Sequence, residues 1–157
     1  MHVDGSLTTW GLNNSGGDSS AVSADLDGSV SITNVVSTAS AFAALRSDGS
    51  VVTWGAALSG GDSSAVSGAI NSGVQEVFAT NSAFAARKDD GSVVTWGNNS
   101  AGGDSSSVAA DIDGSIAVTN IYANEQAFAA IRSDGSVVAW GDMSTCLLYT
   151  SPSPRDS

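Results

Sequence analysis

Carboxylates are the residues of this chain whose spacing most invites chemistry. Asp25-Leu26-Asp27-Gly28-Ser29 and Asp111-Ile112-Asp113-Gly114-Ser115 each set two acids beside a Gly-centred turn. Ca²⁺ takes several carboxylate and carbonyl oxygens from such a tight loop. Two acids are too few for that coordination, and the corresponding stretch Ala69-Ile70-Asn71-Ser72-Gly73 carries none. A turn that stops a helical segment accounts for all three copies. Asp18, Asp62 and Asp104 form a second series, each followed by Ser-Ser. They could line up as a cation-binding ridge, but an acid that caps a helical segment by accepting its orphan N–H groups explains the same context. Nucleophilic chemistry has little to draw on: serine is abundant, the one histidine is His2, and no base stands near a serine in a recognisable pattern. The reading is non-enzymatic, with no cofactor and no metal.

The elements that must position these residues are set by a repeat. Asp90-Gly91-Ser92-Val93-Val94-Thr95-Trp96-Gly97 recurs unchanged at 48–55, with Ala139 for Thr at 134–141, and more loosely at 4–11. Trp10, Trp54, Trp96 and Trp140 stand 44, 42 and 44 residues apart. A fixed period of that size indicates stacked or circular supersecondary units. Tryptophans can stack on sugars or bases, but one at a fixed place in every unit reads as core.

Ahead of each motif lies a second constant piece, Ala41–Arg46, Ala83–Lys88 and Ala127–Arg132. Two short apolar runs joined across Asp-Gly predict a β-hairpin with a two-residue type I′ turn. With Asp48-Gly49 as that turn, Ser47 faces Ser50, Leu45 faces Val52 and Ala43 faces Trp54. Both faces of the ribbon are then largely apolar, which predicts ribbons packed between ribbons, with small alanines opposite Trp letting them approach. Arg87 stands where the other units have Leu45 and Ile131; its stem is expected in the core and its head in water. After each Trp-Gly come a variable run, the Gly-Gly-Asp-Ser-Ser segment and apolar residues four apart, read as an Asp-capped helical turn. A third strand is expected at 32–37, 74–79 and 118–123. One unit is therefore helical turn, strand, and hairpin of two strands. The fold class is all-β with short helical turns, a partial propeller arc of about three blades.

The chain of 157 residues carries 16 Asp+Glu against 5 Lys+Arg, a formal charge of −11. Such a chain repels phosphate backbones and anionic lipid, which argues against nucleic acid as a partner. No apolar run is long enough to span a bilayer, so no membrane insertion is expected. The composition, rich in Ser, Gly and Asp, leans toward an extracellular setting. Residues 1–145 read as three complete tandem repeats with partial first and last units. His2 and Val3 stand where other units have Arg46 and Ser47, so the strand that would pair with Ser6–Trp10 is missing, and the array is expected to be a piece of a longer protein. Residues 146–157 break the pattern: they hold Cys146, the only cysteine, and both prolines, Pro152 and Pro154. Residues 146–156 resemble the translation of a transposase sequencing adaptor, and the tail is expected to be non-native and to pack against nothing.

Gly-Ser-Val-Val-Thr-Trp-Gly-Asn-Asn-Ser-Ala-Gly-Gly (91–103) is similar to the Gly-x-Val-x-x-Trp-Gly-x-Asn-x-x-Gly signature of regulator-of-chromosome-condensation (RCC1-like) repeats. Ala127–Gly135 resembles the His-Ser-Leu-Ala-Leu-x-x-Asp-Gly segment of the same family. The resemblance covers residues 4–141. It implies a β-propeller, seven-bladed in the family and shared with the type II β-lactamase inhibitory protein, and a general role in binding other proteins. The chain departs from the family where Gln-Leu-Gly is replaced by Asp-Ser-Ser and its His by Ala or Ser. The loops and insertion behind the founder's nucleotide-exchange activity have no counterpart, nor has its basic tail, and no functional residue carries over.

Three function classes follow. The first is a protein-binding scaffold whose specificity lies in loops that vary between otherwise alike repeats: 12–15, 56–59 and 98–101 after Trp-Gly, and 38–40, 80–82 and 124–126 before the Phe strand. Its candidate contact residues are Asn13, Asn14, Asn98, Asn99, Asn124, Glu125 and Gln126. The second is a structural or adhesive extracellular array, and the third a regulatory arm of a larger enzyme such as a HECT-type ubiquitin ligase.

Overall fold

A computed structural model describes residues 3–142, and the tail expected at 146–157 lies outside the described residues. Among the described residues nine strands form three antiparallel sheets: β1 (Ile32–Ser37), β2 (Ala41–Arg46) and β3 (Val51–Gly55); β4 (Val74–Ala79), β5 (Ala83–Lys88) and β6 (Val93–Gly97); β7 (Val118–Ala123), β8 (Ala127–Arg132) and β9 (Val137–Gly141). Within each sheet the strands lie in sequence order. Each sheet is one blade, and the three make a partial propeller arc. The first strands of successive sheets touch, β1 with β4 and β4 with β7, which places them innermost. Their bounds are those the repeat predicted.

The hairpin register differs from the expectation by one residue. Phe42 pairs with Trp54, Ala43 with Thr53 and Leu45 with Val51, so Trp54 does not face Ala43. The loop has three residues: Gly49 N–H donates to Arg46 O at 3.0 Å and Arg46 N–H to Ser50 O at 2.9 Å. That is a type I turn closed by a bulge residue in the left-handed region, Gly49 at φ 83°, and among the described residues no non-glycine residue has positive φ. A type I′ turn would force Asp48 to positive φ as well. Asp48 instead stays right-handed and its Oδ1 accepts the Ser50 N–H at 2.9 Å and hydroxyl at 2.5 Å. Ser92 and Ser136 make the same two bonds to Asp90 and Asp134.

The one-residue shift decides how blades pack. Phe42, Ala44, Val52 and Trp54 share a front face, on which Phe42 and Trp54 stack with centroids 5.5 Å apart. Ala41, Ala43, Leu45, Val51 and Thr53 share the rear face. The rear face of the first blade meets the front face of the second in one cluster: Ala41, Ala43, Leu45 and Val51 against Val77, Phe84, Ala86 and Trp96, with Ile70 from the intervening helical turn. Ala83, Ala85 and Val93 meet Phe128, Ala130, Val138 and Trp140 in the same way. Small alanines do let the blades approach, but they lie under the next blade's Phe-Trp pair rather than opposite their own Trp. Each indole N–H donates to a glycine carbonyl of the preceding unit: Trp54 to Gly16 O, Trp96 to Gly60 O and Trp140 to Gly102 O, at 3.0, 3.1 and 3.2 Å. Gly60 must be glycine twice over, since its φ is 96° and a Cβ would sit 2.5 Å from the Phe84 ring.

The segments after Trp-Gly are 3-10 turns, with non-helical residues inside the longer ones at Val22 and Val108. Asp18, Asp62 and Asp104 stand one residue ahead of the formal N-cap and accept the N–H of Ser20, Ser64 and Ser106. The capping role is as expected, one position earlier. The turns are tied to their blade by a clamp in which the Thr53 hydroxyl donates to Gly61 O at 3.1 Å and lies 2.8 Å from Ser63 Oγ. Thr9 and Thr95 repeat it. Residues 5–11 follow the path of an outer strand in front of the first blade. Leu7 N–H donates to Leu26 O and Ile32 N–H to Gly5 O, as Val51 does to Ile70 O and Val74 to Gly49 O. Trp10, unlike its three counterparts, is 85% exposed.

Candidate functional site

Antiparallel pairing sends both families of variable loops to one end of the arc. β1 ends where β2 and the loop after β3 begin, and the two loops of each blade are bonded together. Ala56 N–H donates to Ser40 O, Asn98 N–H to Ser82 O and Asp142 N–H to Gln126 O, at 2.8–2.9 Å. The Thr38 hydroxyl reaches Ser59 O at 3.0 Å and the Thr80 hydroxyl Ala101 O at 2.9 Å. Successive blades are joined there as well: Ala39 N–H donates to Asn81 O and Asn81 N–H to Glu125 O, both at 2.9 Å. The loops thus form a braced surface.

All seven residues nominated from the sequence lie at this end. Asn13, Asn14, Asn98, Asn99 and Glu125 are exposed, whereas Asn124 and Gln126 are half-buried. Two of them hold their own loops. Asn98 Oδ1 accepts the Ser100 N–H and hydroxyl, capping the turn at 99–101. Asn124 Oδ1 accepts the N–H groups of Gln126 and Ala127, and in the other two blades the Thr38 and Thr80 hydroxyls accept the N–H of Ala41 and Ala83. The nomination passed over the apolar members of the same surface. Leu12 and Leu58 are 75% and 83% exposed and Tyr122 is 58% exposed. The signal was present: an aliphatic residue one place (Leu12) or three places (Leu58) after Trp-Gly, in a run otherwise of Asn, Ser and Ala, has no strand face to fill.

Charge gathers at the opposite, hairpin end. The described cations, Arg46, Arg87, Lys88 and Arg132, all sit at the hairpin end of a middle strand, among Asp25, Asp48, Glu76, Asp89, Asp90, Asp111 and Asp134. Arg46 Nη1 lies 3.0 Å from Asp25 Oδ1 and Arg132 Nη1 3.4 Å from Asp111 Oδ1. Asp27 and Asp113 accept the N–H of Ser29 and Ser115. The acids that invited a calcium reading are thus divided between an arginine and a backbone turn, and among the described residues no three His, Cys, Asp or Glu side chains gather as a metal cluster. Arg87 keeps its stem in the blade and reaches Glu76 Oε1 at 2.6 Å, while its Nε is buried without a hydrogen-bond partner. A cleft between the first two blades is lined by Thr33, Arg46, Asp48, Gln75 and Asp89.

The hairpin carboxylates are tuned away from acid–base work. The Ser50 hydroxyl, and after it the Ser50 N–H, holds Asp48 below the ordinary carboxylate value; Ser92 and Ser136 do the same for Asp90 and Asp134. A general acid or base active near neutrality needs the opposite shift. The chemistry available at the loop end is amide hydrogen bonding with aliphatic and aromatic contact.

Known structures place this architecture. Human WBSCR16 matches with a TM-score of 0.52 at 20% identity, over 74% of this chain and 35% of that one. Yeast RCC1 (Prp20), solved with Kap60 bound, matches with a TM-score of 0.50 at 17% identity, over 72% and 30%. The fold is an RCC1-like propeller arc. The ectodomain of the receptor kinase CR4 from Physcomitrella patens also matches, with a TM-score of 0.52 at 12% identity over 85% and 32%. The chain spans about a third of the length of each of these structures. No protein-family model and no curated protein matches it.

Proposed function

We propose that this RCC1-like arc is a non-catalytic protein-binding module that engages its partner through the loop end. One observation carries the reading. Leu12 and Leu58 are exposed on loops at this end and Tyr122 is exposed near the end of β7, and the loops of the three blades there are hydrogen-bonded to each other and across blades. Exposed apolar side chains on a rigid, weakly charged surface are what a binding patch requires, since little ordering entropy remains to be lost. The yeast RCC1 (Prp20) complex with Kap60 supports it by analogy of fold. As a piece about a third as long as its structural matches, the chain would contribute this surface to a larger protein.

The test is affinity capture with Leu12→Asp/Leu58→Asp, compared with wild type and with Asp89→Asn/Asp90→Asn at the hairpin end. Loss of a specific, reproducible partner with the loop variant and its retention with the hairpin variant is expected. The reverse pattern would move the site to the acidic end.

A further inference from the structure

The middle unit departs from both of its neighbours at three positions that meet in one place. Where the first and third units have Ser31 and Ala117, it has Gly73; where they have Thr33 and Thr119, it has Gln75; where they have Ser47 and Ser133, it has Asp89. The frame around these positions is unchanged. The backbone N–H groups of Ser47, Asp89 and Ser133 donate to Ser31 O, Gly73 O and Ala117 O respectively, each at 2.8 Å. All three departures line the cleft of about 350 Å³ between the first two blades at the hairpin end.

Each departure has a local consequence. Gly73 keeps the cleft open, because a Cβ there would come within 3.2 Å of Asp89 Oδ1. Gln75 is the residue that the β4–β5 ladder skips between Val74 and Glu76, and a bulge of this kind re-aims its side chain. Thr33, skipped in the same way in β1, gives its hydroxyl to Leu45 O, whereas the Gln75 amide has no hydrogen-bond partner among the described residues. Asp89 brings a carboxylate that has neither an ion pair nor a hydrogen bond among the described residues. Other changes in this unit are matched internally: Arg87 pairs with Glu76 at 2.6 Å and the Lys88 amine donates to Ala69 O at 2.7 Å. On the facing wall Asp48 commits Oδ1 to Ser50 and leaves Oδ2 3.7 Å from Arg46 Nη2, while Arg46 itself is held by Asp25 and Ser50.

We propose that this cleft is a second binding site, separate from the loop end, and that it takes the guanidinium of an arginine side chain on a partner peptide. Acceptors predominate among its uncommitted groups: the Asp89 carboxylate, Asp48 Oδ2 and Gln75 Oε1, from both walls of the cleft. A planar cation with five N–H donors can meet such a set from both sides at once, where an ammonium offers a single point of charge. An apolar side chain would leave the same groups unpaired. Free arginine suits the cleft less well, because its own carboxylate would face the two aspartates; within a peptide that charge is absent. The formal charge of −11 draws a basic segment toward the chain, and the bulge, the glycine and the unmatched carboxylate give it one place to dock.

The test is titration of the isotope-labelled full chain with acetyl-Gly-Arg-Gly-amide, followed by NMR at the Gly73 and Asp89 backbone amides and the Gln75 side-chain amide. Saturable shifts at these three positions are expected. The corresponding lysine peptide should bind about threefold more weakly, and the citrulline peptide, with the same shape and no charge, should not saturate. Asp89→Ser and Gln75→Thr carry the residue types that the other two units hold in the same frame, so both variants keep the tryptophan emission of the folded arc. Asp89→Ser should weaken binding about fivefold, as expected for a partly exposed ion pair, and Gln75→Thr should weaken it by less. Glu125→Gln removes one charge at the loop end and should leave the affinity nearly unchanged, which separates the cleft from diffuse attraction. Absence of saturable shifts, binding of the lysine peptide, the citrulline peptide or free arginine as tight as that of the arginine peptide, or equal losses from Asp89→Ser and Glu125→Gln would each overturn the proposal.

Discussion

Truncating Trp96 to alanine tests the blade stack most directly, because the same motif supplies an internal control. Trp96 is 4% exposed, stacks on Phe84 with centroids 5.4 Å apart, and packs against Ala41, Ala43, Leu45 and Val51 of the preceding blade. Large-to-small substitution of a buried aromatic costs about 3–5 kcal/mol, combining lost transfer energy with the cavity left behind. The indole also satisfies Gly60 O at 3.1 Å, and orphaning that carbonyl contributes about 1 kcal/mol if water cannot reach it. The stack sits between blades, so the loss falls on the coupling between units as well as on the second blade. A total of about 4–6 kcal/mol is expected for Trp96→Ala. Trp10→Ala, at the same motif position but 85% exposed, should stay within about 0.5 kcal/mol. The assay is urea unfolding followed by far-ultraviolet circular dichroism at low protein concentration, with the midpoint and slope compared between variants. A loss below about 1 kcal/mol for Trp96→Ala, or equal losses for the two tryptophans, would refute the packing of blade on blade.

Other consequences can be checked in the same assay. Gly60→Ala should cost about 1–3 kcal/mol, since it combines a φ of 96° with a Cβ 2.5 Å from the Phe84 ring. Gly68→Ala, with nothing within 4 Å of its Cβ, should be nearly silent. The Ser50, Ser92 and Ser136 hydroxyls hold Asp48, Asp90 and Asp134 below the reference value of 3.8 in the folded chain, so the stability they confer is present above that value. It is lost as pH falls through the lower folded values, and the triple variant Asp48→Asn/Asp90→Asn/Asp134→Asn should flatten the acid limb of the unfolding midpoint. Arg87→Leu removes a buried Nε that has no hydrogen-bond partner and restores the aliphatic residue of the other two blades; it should be neutral or stabilising by about 1 kcal/mol, and a marked loss would show that the Glu76 pair positions the blade. Calcium titration should give no specific heat, because Asp25 and Asp111 are committed to Arg46 and Arg132; micromolar binding abolished by Asp111→Asn/Asp113→Asn would overturn that assignment.

The period, the unit and the bounds of the first strands were legible because each depends on strong local punctuation. Asp-Gly, Trp-Gly and Gly-Gly-Asp recur in phase, and between them the apolar runs are too short for anything but strands. The tilt of the helical segments toward 3-10 turns was less legible, since apolar residues four apart fit either form, and only Val22 and Val108 leaving helical φ/ψ separates them. Leu12 and Leu58 lie inside the loops 12–15 and 56–59 named from the sequence but were not among the seven residues singled out as contacts, and their exposure is legible only once the end of the arc is seen to be open.

The register shows how far one local choice reaches. Asp-Gly supports a two-residue loop with both residues at positive φ, and it supports a three-residue loop with only the glycine there. What separates the two is the following serine, present in all four copies as Asp-Gly-Ser at 4–6, 48–50, 90–92 and 134–136. A carboxylate that accepts both the N–H and the hydroxyl of the residue two places on fixes the aspartate in the right-handed region and selects the longer loop. A slip of one residue flips every side chain of a strand to the other face. With that slip corrected, Trp54 leaves Ala43 for Phe42, and the alanines become the floor on which the next blade's Phe-Trp pair rests. The loop end is insensitive to the same slip, because antiparallel order alone brings the loops after β1 and after β3 together whatever residue faces which. For this reason the seven nominated residues share one end of the arc whichever register the hairpins take. The Asp-Gly-Ser turn thus bears on stability and blade coupling, while the composition of the loops at the far end is left free to vary.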